Sequence, residues 1–206
     1  MTEPLRGETD RTTDERVFLG ISDLYVRVGE HIGHFYQTRE EGKAVLTAFL
    51  KAGLEMSEKC VYLTSPERLG EDLREALAAA QIKVEEALAS EQLILDTGRA
   101  TPEELRAWLT TAMTALPQRF RRLRWGGDMT WVLLRMPTSE QRIRWSTLWN
   151  FTRGFSTVFL CQYDLTQLPG SAVIAALQAH PLCIVGNIMH RSPLYAEPGV
   201  YRPPTL

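Results

Sequence analysis

The stretch HIGHFYQTREEGKAVLTAFLKAGLEMSEKCVYLTSP, residues 31–66, predicts a strand, a helix and a second strand in succession. Thr38 and Glu41 have the spacing of a capping box, in which the two side chains accept hydrogen bonds from backbone N–H groups at the helix start. The following residues recur with helical periodicity on one face: Val45, Leu46, Phe49, Leu50 and Leu54. Two strands joined by a helix form a βαβ unit, which is right-handed and belongs to a parallel sheet.

Strands and helices alternate along the rest of the chain. Further strands are predicted at QLILD, at TVFLCQYD and at LCIVG, and the apolar segment RLRWGGDMTWVLL lies between the first two. Helices are predicted from Ser65-Pro66, at VEEALAS, from the capping box at Thr101, around Ile143, Leu148 and Phe151, and from Pro169-Gly170 to Ala179. This alternation predicts an α/β fold with a doubly wound, mostly parallel sheet and helices on both faces.

The chain of 206 residues suits one such domain. We expect a disordered leader at 1–16, a single domain at 17–190 and a proline-rich tail at 191–206. Residues 17–30 are ambiguous, and we interpret them as an additional strand or a short helix. The leader lacks the apolar core of a secretory signal, and no apolar run reaches the roughly 18 residues of a membrane span.

Composition narrows the choice of partners and compartment. The formal net charge is −2, which does not favour a nucleic-acid partner, and we interpret the basic cluster at Arg119–Arg124 as a solvated helix end. The three cysteines, Cys60, Cys161 and Cys183, each lie in an apolar strand-like run. An odd number of strand cysteines favours a reducing cytoplasm over a disulfide framework.

Polar residues gather where the predicted strands end. They include Tyr36, Thr64, Asp96, Asp128, Tyr163, Asp164 and Asn187. Doubly wound sheets bind ligands outside the carboxyl ends of their strands, so we expect the functional site there.

Gly42-Lys43 stands where a phosphate-binding loop would follow the first strand, but the motif is incomplete. The glycine required five positions earlier is Gln37, and the residue after Lys43 is Ala44, which has no hydroxyl for magnesium. An alternative function is nevertheless a nucleotide-binding or hydrolysing enzyme that uses Lys43, Thr64, Asp96 and Asp128.

Histidine and cysteine residues raise the question of a metal. His31 and His34 are three residues apart, so in a strand they point to opposite faces and cannot share an ion. His34 could meet Cys161 or His180 at the sheet end, where His plus Cys would offer zinc ligands. We favour hydrogen-bonded, half-buried side chains instead and predict no metal site.

Two further choices stay open at this stage. Asp164 follows an apolar strand and could contact a ligand, act as a general base, cap the next turn or pair with an arginine. Trp125, Trp131, Trp145 and Trp149 could line an apolar pocket, although core packing is the simpler interpretation. A third function is an interaction scaffold with Trp145 and Trp149 as its contact face.

Three separated motifs resemble those of the MEDS domain, the sensory domain named after methanogens, methylotrophs and the regulator DcmR. They are HIGHFYQTREEGKAVLTAFLKAGLEMSEKCVYLTSPE, GGDMTWVL and CQYDLTQLPGSAVIAALQAHPLCIVGN, followed by HRSPLY. The resemblance covers about residues 29–204. It implies a relative of the RecA/KaiC fold without a working phosphate loop, in agreement with the incomplete motif at Lys43.

The resemblance implies a signal-input module rather than an enzyme. MEDS domains occur with histidine kinases, DNA-binding domains and anti-sigma-type regulators and are thought to sense simple organic molecules. The matching positions are His31, His34, Phe35, Tyr36, Asp128, Trp131, Cys161, Tyr163, Asp164, Gly170, His180 and Pro181. One departure is RWSTLWNFT, which has Ser146 near the place where the family often has an acidic residue, so the ligand of this member would differ or be absent.

The sequence therefore predicts a non-catalytic, cytoplasmic signal-transduction protein that binds a small organic molecule and regulates a kinase, an anti-sigma factor or a transcription regulator. We expect no direct contact with nucleic acid or membrane, allow a homo-oligomer and assign no cofactor. The expected ligand-binding residues are His31, His34, Tyr36, Thr64, Asp128, Trp131, Cys161, Tyr163, Asp164 and His180.

Overall fold

The computed structural model describes residues 15–65, 71–97, 101–114, 116, 118–135, 138 and 156–195. The strands in these ranges are β1 (Arg16–Phe18), β2 (Tyr25–Arg27), β3 (His31–Tyr36), β4 (Lys59–Thr64), β5 (Leu93–Thr97), β6 (Leu123–Asp128), β7 (Thr157–Asp164), β8 (Leu182–Val185) and β9 (Ile188–Arg191). The helices are α1 (Arg39–Glu55), α2 (Glu71–Ala79), α3 (Val84–Ala89), α4 (Pro102–Thr114), α5 (Thr130–Leu134) and α6 (Gly170–Ala179).

A seven-stranded sheet with the order β5-β4-β6-β7-β3-β8-β9 forms the centre of the protein. Its neighbouring strands are parallel except for the antiparallel pair β8–β9. The predicted doubly wound, mostly parallel α/β architecture is confirmed. The predicted strands HIGHFY and TVFLCQYD coincide with β3 and β7.

Two hydrophobic cores cover the two faces of this sheet. On the face that carries α1, Ile32 and Leu160 of the sheet lie in one core with Phe49 of the helix. On the face that carries α4, α5 and α6, Phe159 of the sheet lies in the other core with Ala172 of α6. Every residue of β3, β6 and β7 is buried, which explains their lack of polar alternation. We call these the α1 face and the α6 face.

Both predicted capping boxes form at the start of a helix. Thr38 Oγ1 accepts a hydrogen bond from Glu41 N at 3.1 Å, while Glu41 Oε2 accepts from Gln37 N at 3.0 Å, one residue before the cap. At α4 the exchange between Thr101 and Glu104 is reciprocal, with distances of 3.1 and 3.2 Å. Thr38 thus fixes where β3 ends and α1 begins, which is also where the expected ligand edge starts.

The segment at 17–30 is neither a single strand nor a helix. Its strands β1 and β2 pair antiparallel in a separate two-stranded sheet. Val17, Leu19 and Val26 of this hairpin are buried in the core on the α1 face. The hairpin therefore extends that core beyond the main sheet.

Strand β9 lies beyond LCIVG, which the sequence analysis predicted as the last strand. It forms the antiparallel edge of the sheet, and its exposed side chains give little apolar signal in the sequence. The predicted helix around Ile143, Leu148 and Phe151, and the start of a helix at Pro66, lie outside the described residues. No helix in the described ranges combines the length and apolarity needed to cross a membrane.

The basic cluster before β6 is not a solvated helix end. Arg122 and Arg124 are 2% and 0% exposed, and Arg124 lies within β6. Arg124 Nε donates to Glu58 Oε2 at 2.5 Å, and its other nitrogens donate to the carbonyl oxygens of Phe18 and Phe49. The prediction was wrong because two of these arginines have buried carboxylate and carbonyl partners that are distant in sequence.

Candidate functional site

The sheet separates the predicted site residues into two groups. Paired residues on parallel strands point to the same face, and successive residues alternate between faces. His34, Tyr36, Thr64, Asp128 and Asp164 belong to the α1 face. His31, Cys161, Tyr163 and His180 belong to the α6 face, where Trp131 of α5 also packs. These residues therefore do not converge on one site.

A cleft of about 290 Å³ opens on the α1 face, between α1 and α2 and above β3, β4 and β7. Its apolar lining comes from Tyr36, Leu46, Tyr62 and Leu73, with Gln162 as the polar group of β7. The remaining lining residues are Arg39, Glu40, Gly42, Lys43 and Asp72. The cleft thus combines apolar side chains with at least as many polar and charged groups, and it is more polar than most small-molecule sites.

The charged residues of the cleft balance one another. Arg39 and Lys43 supply two positive charges, and Glu40 and Asp72 supply two negative charges. Arg39 of α1 forms an ion pair with Asp72 of α2 at 3.2 Å, and both side chains are largely exposed. The cleft therefore has no formal excess charge, and an ion pair among its lining residues connects two helices.

Gln162 connects the sheet to α1 beside this cleft. Its Nε2 donates to the carbonyl oxygen of Gly42 at 2.8 Å and lies 3.1 Å from His34 Nδ1. An amide that donates to Gly42 presents its second N–H to His34, so Nδ1 accepts and the proton of neutral His34 resides on Nε2. Burial lowers the pKa of His34 to about 4, against an opposing effect of Glu41, which favours this neutral form.

The start of α1 already uses part of its capacity to bind an anion. A helix start binds anions through free backbone N–H groups. Here Thr38 Oγ1 accepts from Glu41 N, the Thr38 carbonyl accepts from Gly42 N, and Glu41 Oε2 accepts from Gln37 N. The Glu41 carboxylate therefore already accepts from the N–H of Gln37 and places a negative charge at this helix start.

The remaining residues on the α1 face organise loops. Asp164 accepts hydrogen bonds from Thr166 N at 3.0 Å and from Gln167 Nε2 at 2.5 Å, so it caps the turn after β7. Asp128 Oδ1 accepts from Thr130 N at 3.0 Å, and Thr130 Oγ1 accepts from Asp164 N at 2.9 Å. Of the interpretations left open for Asp164, these contacts favour the turn cap.

The residues of the nucleotide-binding alternative also lie apart. Thr64 and Asp128 end neighbouring strands on the α1 face, and exposed Lys43 lines the cleft. Asp96 is paired with Leu63, whose side chain belongs to the core on the α6 face. Asp96 therefore points away from the other three.

A second cluster lies buried on the α6 face. His31 Nε2 is 3.0 Å from Cys161 Sγ, and the rings of His31 and His180 have centroids 4.0 Å apart. The nitrogen and sulfur ligand atoms of His31, Cys161 and His180 all lie within 4.8 Å of one another. The expectation that His34 could meet Cys161 or His180 was wrong. His34 is on the opposite face, and His31 is the histidine that meets them.

Burial favours the uncharged forms of this cluster. It lowers the pKa of His180 to about 4 and that of His31 well below its usual value, with repulsion from His180 as a second cause. Burial also raises the pKa of the thiol of Cys161 well above its usual value. Two neutral imidazoles and one thiol therefore meet in a buried environment, where the side chain of Tyr163 also hydrogen-bonds to Cys161.

The sequence also matches a known protein family. The sequence profile of MEDS, described as the methanogen/methylotroph DcmR sensory domain, matches residues 30–181. The chain belongs to the MEDS family. The match begins just before β3 and ends just after His180, so it includes the cleft and the buried cluster. No curated protein matches the sequence significantly.

A similar solved structure is that of a KaiC-like protein from the hyperthermophilic archaeon Pyrococcus horikoshii OT3. The two share 16% sequence identity with a TM-score of 0.59, over 82% of this chain and 79% of that chain. The similarity shows that this MEDS domain has the KaiC-like RecA fold.

Most lining residues of the MEDS cleft were not predicted as site residues, among them Gln162, Arg39 and Asp72. Gln162 is a polar residue inside the apolar run TVFLCQYD, and that interruption was its signal. Arg39 and Asp72 carried no signal, because charged residues on helices are usually solvated. Only Tyr36, among the predicted ligand-binding residues, lines the cleft.

Proposed function

We propose that this protein is a non-catalytic sensor, which binds a small organic molecule in the cleft between α1 and α2 and thereby regulates a partner protein. The observation that carries the proposal is the cleft itself, at the carboxyl ends of β3 and β7. Membership of a sensory family supports the role. The partner would be a kinase, an anti-sigma factor or a transcription regulator, in the cytoplasm, where free buried cysteines such as Cys60 stay reduced.

The properties of the cleft favour a small, uncharged or zwitterionic molecule. Its volume of about 290 Å³ is at the lower end of small-molecule sites, which measure roughly 300–1,000 Å³. Its formal charges cancel, and the N–H of Gln37 already donates to Glu41. Both features favour such a ligand over a nucleoside triphosphate and support a non-catalytic role.

Signalling requires the ligand to bind two conformations with different affinity. Arg39 and Asp72 connect α1 to α2 through an exposed ion pair, which contributes at most about 1 kcal/mol. A ligand that enters between these helices competes with that pair at little cost. The resulting change in the position of α2 would be the signal that a partner reads.

The test is a thermal-shift screen with short alcohols, amines, halocarbons and magnesium-ATP. We expect an organic compound to raise the melting temperature, since binding to the folded state contributes about 2.7 kcal/mol at one hundred times the dissociation constant. Tyr36→Leu, which removes a ring from the cleft lining, should weaken that binding at least about tenfold. Lys51→Ala, on α1 but outside the cleft, is the control and should bind as the wild type does.

Two outcomes would contradict the proposal. One is phosphate release from magnesium-ATP that Lys43→Ala abolishes, because the protein would then be an enzyme at this edge. The other is an organic ligand whose binding is unchanged by Tyr36→Leu, because the site would then lie elsewhere.

A further inference from the structure

The buried cluster on the α6 face has the donors of a metal site. His31, Cys161 and His180 are 7%, 0% and 1% exposed, and their ligand atoms lie within 4.8 Å of one another. They come from three separate elements: the start of β3, the middle of β7 and the end of α6. Nothing in the proposed sensor cleft uses these side chains, since they lie across the sheet from it.

His180 is held in the orientation that ligation needs. Its Nδ1–H donates to the Ala176 carbonyl oxygen at 2.6 Å, so the lone pair of the ring is on Nε2. This Nε2 is buried and has no hydrogen-bond partner among the described residues. Metal-ligating histidines usually anchor their second nitrogen in this way, to a carbonyl or a carboxylate. A buried lone pair without a partner is costly unless something binds it.

Gly33 makes room for this ring. It is the neighbour of Cys161 across the β3–β7 pair, and a Cβ at Gly33 would lie 3.2 Å from the His180 ring and 2.8 Å from the ring of Phe35. A side chain at this position would press on both rings, so that Phe35 and, by a few tenths of an ångström, the imidazole would have to move. The glycine therefore lets His180 lie beside His31 and Cys161.

We propose that His31, Cys161 and His180 bind one thiophilic metal ion, Cu(I) in preference to Zn(II). Two imidazoles and a thiolate are suitable ligands for both ions. On binding, the Cys161 thiol loses its proton to solvent, and the thiolate, two neutral imidazoles and Cu(I) then have no net charge. Zn(II) would leave one positive charge in a site from which water is excluded, and such a charge is costly to bury.

The distances require only a small adjustment. One metal–nitrogen and one metal–sulfur bond have a combined length of about 4.3 Å, which is the largest separation at which one ion can bind both atoms. The donors lie within 4.8 Å of one another, and His31 Nε2 already lies 3.0 Å from Cys161 Sγ. Side-chain rotations that bring the farthest donors about 1 Å closer complete the site.

The test uses the full chain without a histidine tag, purified under reducing, oxygen-free conditions and titrated with Cu(I) or Zn(II) against a chromophoric chelator. We expect one Cu(I) per chain, bound more tightly than Zn(II). X-ray absorption should show one sulfur at about 2.3 Å and two nitrogens at about 2.0 Å. Cys161→Ser should weaken binding more than about 100-fold, since removal of an outer-shell partner alone costs roughly 10–100-fold.

Two matched controls make the result specific. Cys60→Ser replaces a buried cysteine on the other face, and His190→Ala replaces an exposed histidine on β9, and both should keep the stoichiometry and affinity. Absence of stoichiometric metal in the wild type, or a metal shell without sulfur, would overturn the site whether or not the variants fold. Tighter binding of Zn(II) than of Cu(I) would overturn the choice of ion. An organic ligand in the cleft would still bind in either case.

Discussion

The side-chain amide of Gln162 donates a hydrogen bond to the carbonyl oxygen of Gly42, 2.8 Å away, and so joins β7 to the first turns of α1. Its other N–H faces His34 Nδ1. Because Gln162 is 3% exposed, water cannot easily replace either bond. This amide therefore adds a buried polar link between β7 and the start of α1 to the apolar packing of the helix on the sheet.

Gln162→Leu is expected to lower the free energy of unfolding by about 1–3 kcal/mol, because the Gly42 carbonyl and His34 lose a buried partner. Urea unfolding of both proteins measures the difference. Gln37→Leu, at an exposed position before α1, should change stability by less than about 0.5 kcal/mol. Equal stability of Gln162→Leu and the wild type would mean that the bond does not contribute.

The pKa of His34 predicts a loss of stability in acid. Folded His34 has a pKa of about 4, lowered by burial from a usual value of 6.5, although Glu41 on α1 opposes the shift. Below pH 6.5 the unfolded chain binds a proton at this residue that the folded protein excludes, so stability falls as the pH drops toward 4. The contribution lost across that window is roughly 3 kcal/mol.

His34→Gln isolates this contribution, since it removes the titrating ring while Gln162 and Tyr36 remain beside the position. Chemical unfolding at pH 7 and at pH 4.5 should show a smaller loss on acidification for the variant than for the wild type. The same loss in both proteins would show that His34 does not titrate in this window.

The buried carboxylate of Glu58 forms ion pairs with two buried guanidinium groups, and Glu15 is a second acidic partner of Arg122. Arg124 Nε lies 2.5 Å and Arg122 Nε 2.9 Å from its oxygens, and none of the three side chains is more than 2% exposed. Glu58→Gln would leave the arginines without their shared counter-charge and should cost about 3–5 kcal/mol of stability. Arg121→Gln, which breaks an exposed ion pair with Glu15, should cost at most about 1 kcal/mol. Thermal unfolding of the two variants measures both losses of stability. Losses of similar size would contradict this prediction.

The sequence predicted two of the central strands well, because burial on both faces makes them near-continuous apolar runs, whereas β6 lies in a segment that was described only as apolar. HIGHFY and TVFLCQYD coincide with β3 and β7 for that reason. The edge strand β9 was missed because three of its four residues are exposed. The N-terminal hairpin was ambiguous because its strands contain only three residues each.

The candidate sites were less predictable, because they depend on which helix covers which face. Strand periodicity correctly placed His31 and His34 on opposite faces. It could not tell which of the two faces α6 would cover. His180 lies at the end of α6, so its face could not be predicted either. Likewise, Arg124 looked solvated because its partners, Glu58 and the carbonyls of Phe18 and Phe49, are distant in sequence.

Substitutions at Gly20 and Gly29 test how tightly the hairpin of β1 and β2 packs on α1. Both have a left-handed backbone, with φ of 81° and 87°, which disfavours any other residue. A Cβ at Gly20 would lie 2.2 Å from the carbonyl oxygen of Ala48 in α1, whereas a Cβ at Gly29 would meet nothing within 4 Å. Only the first position therefore adds a collision to the backbone strain.

Gly29→Ala should cost about 1 kcal/mol, the low end of the strain for such a backbone. Gly20→Ala should cost about 1–3 kcal/mol more than Gly29→Ala, because the hairpin must move away from α1 to relieve the overlap. Urea unfolding of the two variants separates the terms, since backbone strain is common to both. Equal losses would show that the hairpin moves freely on α1, and the contacts of Arg124 with Phe18 and Leu19 would then contribute little to holding it there.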